Sequence, residues 1–89
     1  MKVRKYRPSF FSGFPDEEYE VNSKEELLNS PLCANIITMP SFDRFTFNAY
    51  EEDYGILSSN FTSGEHYVVA IIKNKEDVAT LKEWFNNID

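Results

Sequence analysis

The sequence predicts an α+β fold in which a small antiparallel sheet is packed on one face by helices. Residues 42–73 are dominated by the period-two alternation of strands, broken twice by short polar turns. Short connections favour an antiparallel meander. Residues 74–88 instead space their apolar side chains three or four apart, as an amphipathic helix does. The predicted order is β-(β)-α-β-β-β-α in one globular domain, residues 1–89, because so short a chain rarely divides into two cores.

The first element is a basic strand over residues 2–7, which Pro8 ends because proline cannot donate to a continuing ladder. Residues 18–21 alternate acidic and apolar side chains, which predicts a half-exposed second strand. Antiparallel pairing of the two would set Lys and Arg opposite Glu, where each pair contributes about 0.2–1 kcal/mol. The connection over residues 9–16 contains three Phe, which are expected to fold back over the end of the core.

A capping box begins the first helix. The Ser23 hydroxyl is expected to accept a hydrogen bond from the Glu26 amide, while the Glu26 carboxylate accepts one from the Ser23 amide. This helix is short because Pro31 cannot lie in its interior. Ser30 and Pro31 could begin a second helical turn, with three side chains facing inward: Leu32, Cys33 and Ile36.

Three strands follow, predicted over residues 42–50, 56–61 and 66–73, with turns at residues 51–55 and 62–65. The last strand has apolar residues on both faces, which places it at the centre of the sheet. On the first strand, one buried face is predicted to contain Phe45, Phe47 and Ala49.

Asn74 is predicted to cap the closing helix, whose apolar stripe includes Trp84 and Ile88. Because a lone helix of about a dozen residues is marginal in water, it must pack on the sheet. One core is therefore expected to contain eight side chains: Phe45, Phe47, Tyr67, Val69, Ile71, Val78, Leu81 and Phe85.

The composition restricts the classes of function. Fifteen acidic and nine basic side chains give a net charge of −6, which disfavours bulk binding of nucleic acid or of anionic membranes. One Cys and one His are too few for a Cys/His metal site, and the chain has no Gly-rich phosphate loop. The longest strongly apolar run, residues 67–72, is too short to span a bilayer. No apolar stretch follows the basic N-terminus, so no secretory signal is expected and the predicted location is cytoplasmic.

The residues that could support catalysis have simpler interpretations. His66 beside Glu65 could form an acid–base pair, but at the end of a turn a solvated surface His is favoured. Cys33 has no basic neighbour to lower its pKa, so it is interpreted as a small buried hydrophobe. The acidic triplets at residues 16–18 and 51–53 do not alternate ligands around a Gly as calcium loops do. The sequence therefore predicts no enzyme, no metal site and no cofactor.

The basic N-terminal segment is the candidate binding surface. Residues 1–7 carry four bases and no acid, whereas residues 8–53 carry two bases and ten acids. Aromatic rings among bases are typical of proteins that bind single-stranded nucleic acid. The competing interpretations are an aromatic flap over the core, with the bases paired to the acidic strand, and an acidic surface that imitates DNA. The candidate surface comprises Arg4, Tyr6, Arg7, Phe10, Phe11 and Phe14.

Three segments have a layout found elsewhere: an arginine-proline-aromatic start at residues 7–14, a capped helix at residues 22–28 and a buried strand at residues 67–73. This layout resembles that of small uncharacterised proteins encoded by phages and prophages of low-GC bacteria. The resemblance implies an accessory protein of a virus or mobile element and brings no catalytic residues with it.

These observations favour a domain that binds a host or viral protein without catalysis. The alternatives are a single-stranded nucleic-acid binder that uses the N-terminal segment and an acidic inhibitor that mimics DNA. No membrane association is expected. The two outer strands of the predicted sheet carry charge, which discourages edge-to-edge pairing and favours a monomer. These charges are Arg44 on one strand and Lys2, Arg4 and Lys5 on the other.

Overall fold

The computed structural model describes residues 1–5 and 17–85. Its strands are β1 (Lys2–Lys5), β2 (Glu17–Glu20), β3 (Phe42–Glu51), β4 (Tyr54–Phe61) and β5 (His66–Ile72), and its helices are α1 (Lys24–Asn29), α2 (Ala34–Ile37) and α3 (Lys75–Phe85). The strands form one antiparallel sheet in the order β2-β1-β5-β4-β3. The α+β class, the order of elements and the central position of β5 are thereby confirmed. Predictions for the segment 6–16 and for residues 86–89 lie outside the described residues.

The N-terminal pairing has the predicted register. Lys2 lies opposite Glu20, and the next two bases along β1, Arg4 and Lys5, lie opposite Glu18 and Glu17. On its other side β1 pairs with β5, where Arg4 lies opposite Ile71. The prediction that the basic strand forms an edge of the sheet is therefore wrong. The acidic strand β2 is the edge there, because the hairpin adds it outside β1.

The cap of α1 differs from a capping box in one bond. The Glu26 amide donates to the Ser23 hydroxyl at 3.1 Å, as predicted. The Glu26 carboxylate, however, accepts from the amide of Asn22 at 2.8 Å, one residue before the expected donor. At the other end the Ser30 amide and hydroxyl both donate to the carbonyl of Leu27, at 3.1 and 2.6 Å, so α1 stops before the proline as predicted.

The second helical turn begins later than the sequence indicated. Residues 31–33 form a turn, and α2 has Cys33 as its N-cap with no side-chain hydrogen bond at that cap. Leu32 and Cys33 are buried as predicted, and Ile36 packs against the core. Ile37, on the next position of the helix, remains exposed.

The core lies between the sheet and the helices. On β4 every second residue is buried, Gly55, Leu57 and Ser59, which marks the face that the helices cover. The helix α3 contributes Val78 and Leu81, and an Asn74 carboxamide oxygen accepts from the Asp77 amide at 3.0 Å to cap it. The buried apolar set is Val3, Val21, Leu27, Leu32, Cys33, Phe47, Leu57, Val69, Ala70, Ile72, Val78 and Leu81.

A β-bulge in β5 changes which side chains join this core. Leu57 lies opposite Ala70 and the next residue, Ser58, lies opposite Val68, so Val69 is an extra residue in β5. Val69 and Ala70 are consequently both buried. The predicted placement of Tyr67 and Ile71 in the core is wrong. Tyr67 is 53% exposed, and Ile71 lies opposite Ile56 on the other face, because the extra residue reverses the alternation between them.

Two further core predictions hold only in part. Phe45 and Phe85 are partly buried and pack against the core from outside it. Ala49 is exposed, although it shares a face with the buried Phe47, because β3 is the edge strand on this side of the sheet. Within the described chain, no helix has the length and apolar character needed to cross a lipid bilayer.

Candidate protein-binding surface

The nucleophile and acid–base candidates lie in different environments, Cys33 inside the core and His66 in solvent. Cys33 is completely buried and free, and burial raises the pKa of its thiol to about 11. A thiol with so high a pKa is almost wholly protonated near neutrality and is a weak nucleophile. His66 is exposed on the first residue of β5. The interpretation of Cys33 as a buried hydrophobe is confirmed.

The acidic triplet at residues 51–53 lies at the β3–β4 turn and is exposed, as expected of a solvated turn. Glu52 forms an ion pair with Lys75 at 3.2 Å, which links this turn to the start of α3. Among the described side chains, no three His, Cys, Asp or Glu residues are grouped as metal ligands would be.

Most of the predicted binding surface lies outside the described residues. Tyr6, Arg7, Phe10, Phe11 and Phe14 all fall in the segment 6–16. The backbone of the remaining member, Arg4, is placed inside the sheet between β2 and β5. The structure therefore brings none of these side chains together among the residues it describes.

A different apolar surface lies where β3 begins, and we call it the aromatic patch. The Phe42 ring is 4.9 Å from that of Phe45 and 6.0 Å from that of Phe61, and Phe61 is 5.7 Å from Tyr67 in an edge-to-face arrangement. The neighbouring Glu65 carboxylate, as a hydrogen-bond acceptor and as a negative charge, raises the pKa of the Tyr67 hydroxyl. The patch comprises Ile37, Met39, Phe42, Phe45, Phe61 and Tyr67.

Three members of the aromatic patch are large apolar side chains that remain in solvent. Ile37, Met39 and Tyr67 are 42%, 48% and 53% exposed. Met39 belongs to the loop before β3, and its carbonyl accepts from the Phe42 amide at 3.3 Å. Single exposed apolar residues are ordinary on a protein surface, but a connected group of them is typical of an interaction site.

Two clefts lie on the helix-covered side of β3, one toward each end. The first, of about 320 Å³, lies between the end of β3 and α3 and is lined by Ala49, Tyr50, Glu51, Glu52, Lys75, Val78, Ala79 and Lys82. The second, of about 250 Å³, adjoins the aromatic patch and is lined by Lys24, Leu28, Ile37, Phe42, Arg44, Phe45 and Phe85. The Lys24 ammonium lies 5.0 Å from the centre of the Phe85 ring. We name them the Ala49 cleft and the Phe45 cleft.

Sequence reasoning missed these residues for identifiable reasons. The strand patterns include Phe42, Phe45 and Phe61 but predict a core position for Phe45 alone, and the alternation does not indicate that the three rings meet at one end of the sheet. The sequence also predicts a loop over residues 39–41, so Met39 is not expected to belong to a packed face. A usable signal was present nonetheless for Met39, because it stands next to Pro40 outside any helical stripe or strand alternation and so has no element face on which to be buried.

Comparison with known proteins adds no relative. No family model, curated protein or solved structure gave a significant match to this chain.

Proposed function

We propose that the protein is a non-catalytic accessory factor that binds a protein partner through the aromatic patch. The observation that carries the proposal is the connected set of rings continued by Ile37 and Met39, two side chains about half in solvent. Burying such side chains against a partner is favourable by about 25 cal/mol for each Å² of apolar surface removed from water. Aromatic residues and Met are also enriched at protein interfaces.

The rim of the patch indicates the chemistry of the partner. Lys24 and Arg44 line the Phe45 cleft beside its apolar floor, and no acidic side chain belongs to that lining. A partner surface that combines apolar side chains with carboxylates matches this arrangement, because opposite charges at the rim speed association and favour the correct partner. The phage or mobile-element origin implied by the resemblance, and a cytoplasmic site of action, belong to the same proposal.

The proposal is tested by affinity capture with a variant of the patch and a matched control. Ile37→Ser combined with Met39→Ser removes apolar surface inside the patch. Val68→Ser removes a side chain that is 59% exposed on the opposite face of the sheet. We expect the wild type and the Val68→Ser variant to retain the same protein from a lysate of the cells that carry the gene. The double variant should retain at least tenfold less of it, as measured by quantitative mass spectrometry.

Two results would contradict the proposal. One is equal retention by all three proteins, which would place the contact away from the patch. The other is the absence of any protein retained above a bead-only control. Circular dichroism of each variant separates either result from unfolding, since substitutions at exposed positions should leave the melting curve nearly unchanged.

Binding to single-stranded nucleic acid is expected to be negligible. The register places each base of β1 that the structure describes opposite a glutamate of β2, so the acidic strand offsets the positive potential that a phosphate backbone needs. Fluorescence anisotropy with labelled poly(dT) and poly(U) oligonucleotides at physiological salt checks this expectation. Micromolar affinity that falls steeply as salt is added, the signature of counterion release, would favour the nucleic-acid alternative instead.

A further inference from the structure

The edge of β3 is open for pairing. Among the described strands β3 pairs with β4 alone and forms one border of the sheet. Register shifts at Asp43 and Tyr50 interrupt its two ends, which leaves the run Arg44–Ala49 in regular antiparallel register. The run itself contains no proline, no bulge and one charge, whereas proteins usually protect an edge strand with charges, a proline, a bulge or a covering segment.

The Ala49 cleft and the Phe45 cleft lie beside this edge, on the side of the sheet that the helices cover. The linings show that α3 runs along β3, with Lys75 near Ala49 and Phe85 near Phe45. Phe45 and Ala49 are four residues apart on one face, so the clefts are about 13 Å apart at 3.3 Å per strand residue. In a strand added beside β3, side chains at positions i and i+4 are separated by the same distance and point to the same face.

The charges along this border are of the opposite sign to the protein as a whole. The two linings together contain four basic side chains and two acidic ones, in a chain whose acids outnumber its bases fifteen to nine. One of those acids, Glu52, is already paired with Lys75. Arg44 and Lys82 have no ion-pair partner among the described residues. The border therefore attracts a segment that carries carboxylates.

From this geometry we infer that the partner binds as an extended segment that adds a sixth strand to the sheet beside β3. Its main chain hydrogen-bonds to the run Arg44–Ala49, which supplies affinity independent of sequence. Two apolar side chains at positions i and i+4 fill the Phe45 and Ala49 clefts. A carboxylate at position i+2 lies between them and faces Lys82. This inference rests on the proposed function and specifies the partner as an acidic, apolar peptide in strand conformation.

The experiment uses a displayed library of random twelve-residue peptides, selected against the full-length protein. Enrichment of an apolar–x–acidic–x–apolar pattern is the expected result, and a selected peptide is then synthesised with a fluorescent label. Its binding should protect the amides of Arg44–Ala49 from hydrogen exchange. Selection of no common pattern, or binding without protection of these amides, overturns the inference.

Matched substitutions locate the two anchors. Ala49→Phe fills one cleft and should weaken peptide binding at least tenfold, while Asn48→Phe, the neighbouring position on the opposite face of β3, should leave it unchanged. Lys82→Gln and replacement of the peptide's Glu by Gln should each weaken binding about threefold. Together they should weaken it no more than either does alone, because they remove the same contact. Additive losses, or equal losses from the two Phe variants, contradict the proposed contacts.

Two outcomes separate this inference from the proposed function. Patch-dependent capture from lysate without any selected peptide leaves the proposed function standing and rejects strand addition. Sedimentation equilibrium at twice the monomer mass, abolished by Ala49→Phe, shows that a second copy of the chain closes the edge and likewise rejects a peptide partner.

Discussion

Replacing Leu81 by Ala is expected to destabilise the protein by about 2–5 kcal/mol, a large share of the stability of a domain this small. Leu81 has no exposed surface and lies in α3 among the residues that pack on the sheet. Truncation removes apolar contacts and leaves a cavity that the surrounding side chains fill only in part. Urea denaturation followed by circular dichroism measures the change in the free energy of unfolding.

Substitutions at two other positions in α3 serve as controls for the loss of stability. Lys82→Ala alters an exposed side chain of the same helix and should change stability by less than about 0.5 kcal/mol. Phe85→Ala should cost less than Leu81→Ala, since Phe85 is only partly buried. If Leu81→Ala unfolded at the same urea concentration as the wild type, α3 would not be docked on the sheet as the structure has it.

Replacing Gly55 by Ala is expected to cost about 1–3 kcal/mol, although it adds a single methyl group. A Cβ at this position would overlap Cζ of Phe47 and would lie 2.9 Å from Cε1 of the same ring and 3.1 Å from the carbonyl oxygen of Asn48. Phe47 is only 7% exposed, so its ring has little room to withdraw. The glycine thus lets an aromatic ring cover the backbone of the adjacent strand, an arrangement known to compensate for glycine in sheets. Thermal melts of the variant measure the loss.

A second substitution distinguishes this clash from an intrinsic effect of glycine. Phe47→Leu replaces the ring with a shorter aliphatic side chain and removes the atoms that clash. The cost of Gly55→Ala should therefore be smaller in the Phe47→Leu background than in the wild type. Gly64→Ala serves as the control. Gly64 has a φ of 95° and no atom within 4 Å of its absent Cβ, so Ala there should cost about 1 kcal/mol through backbone strain. The Phe47→Leu background should leave that cost unchanged, and an equal rescue of both glycine variants would contradict the clash.

The parts of the fold that sequence patterns predicted are those decided by local chemistry. The Ser23 cap and the end of α1 before Pro31 follow from hydrogen bonds and sterics within a few residues. The pairing of β1 with β2 followed from the complementary charge of two segments. The central position of β5 followed from its nearly continuous apolar sequence, which is typical of strands inside a sheet.

The features that form the aromatic patch and the two clefts could not be predicted from local sequence patterns. The bulge at Val69 puts Tyr67 and Ile71 on opposite faces of the sheet, and nothing in the local alternation marks an extra residue, because the pattern is apolar on both faces. Ala49 is exposed because β3 is an edge strand, which is a property of the whole sheet order. The two clefts depend on how α3 lies across β3, a packing outcome that the periodicity of either element does not encode.

The sheet order also bears on the sequence of events during folding. Strands β3, β4 and β5 are joined by tight turns, so their pairing closes short loops, whereas β1 meets β5 from the opposite end of the chain. Closing a long loop costs more entropy and is slower, so the meander forms first and the N-terminal hairpin docks last. Until that docking, β5 presents an unpaired apolar edge. Weakening the meander should therefore slow folding, while weakening the contact between β1 and β5 should mainly hasten unfolding.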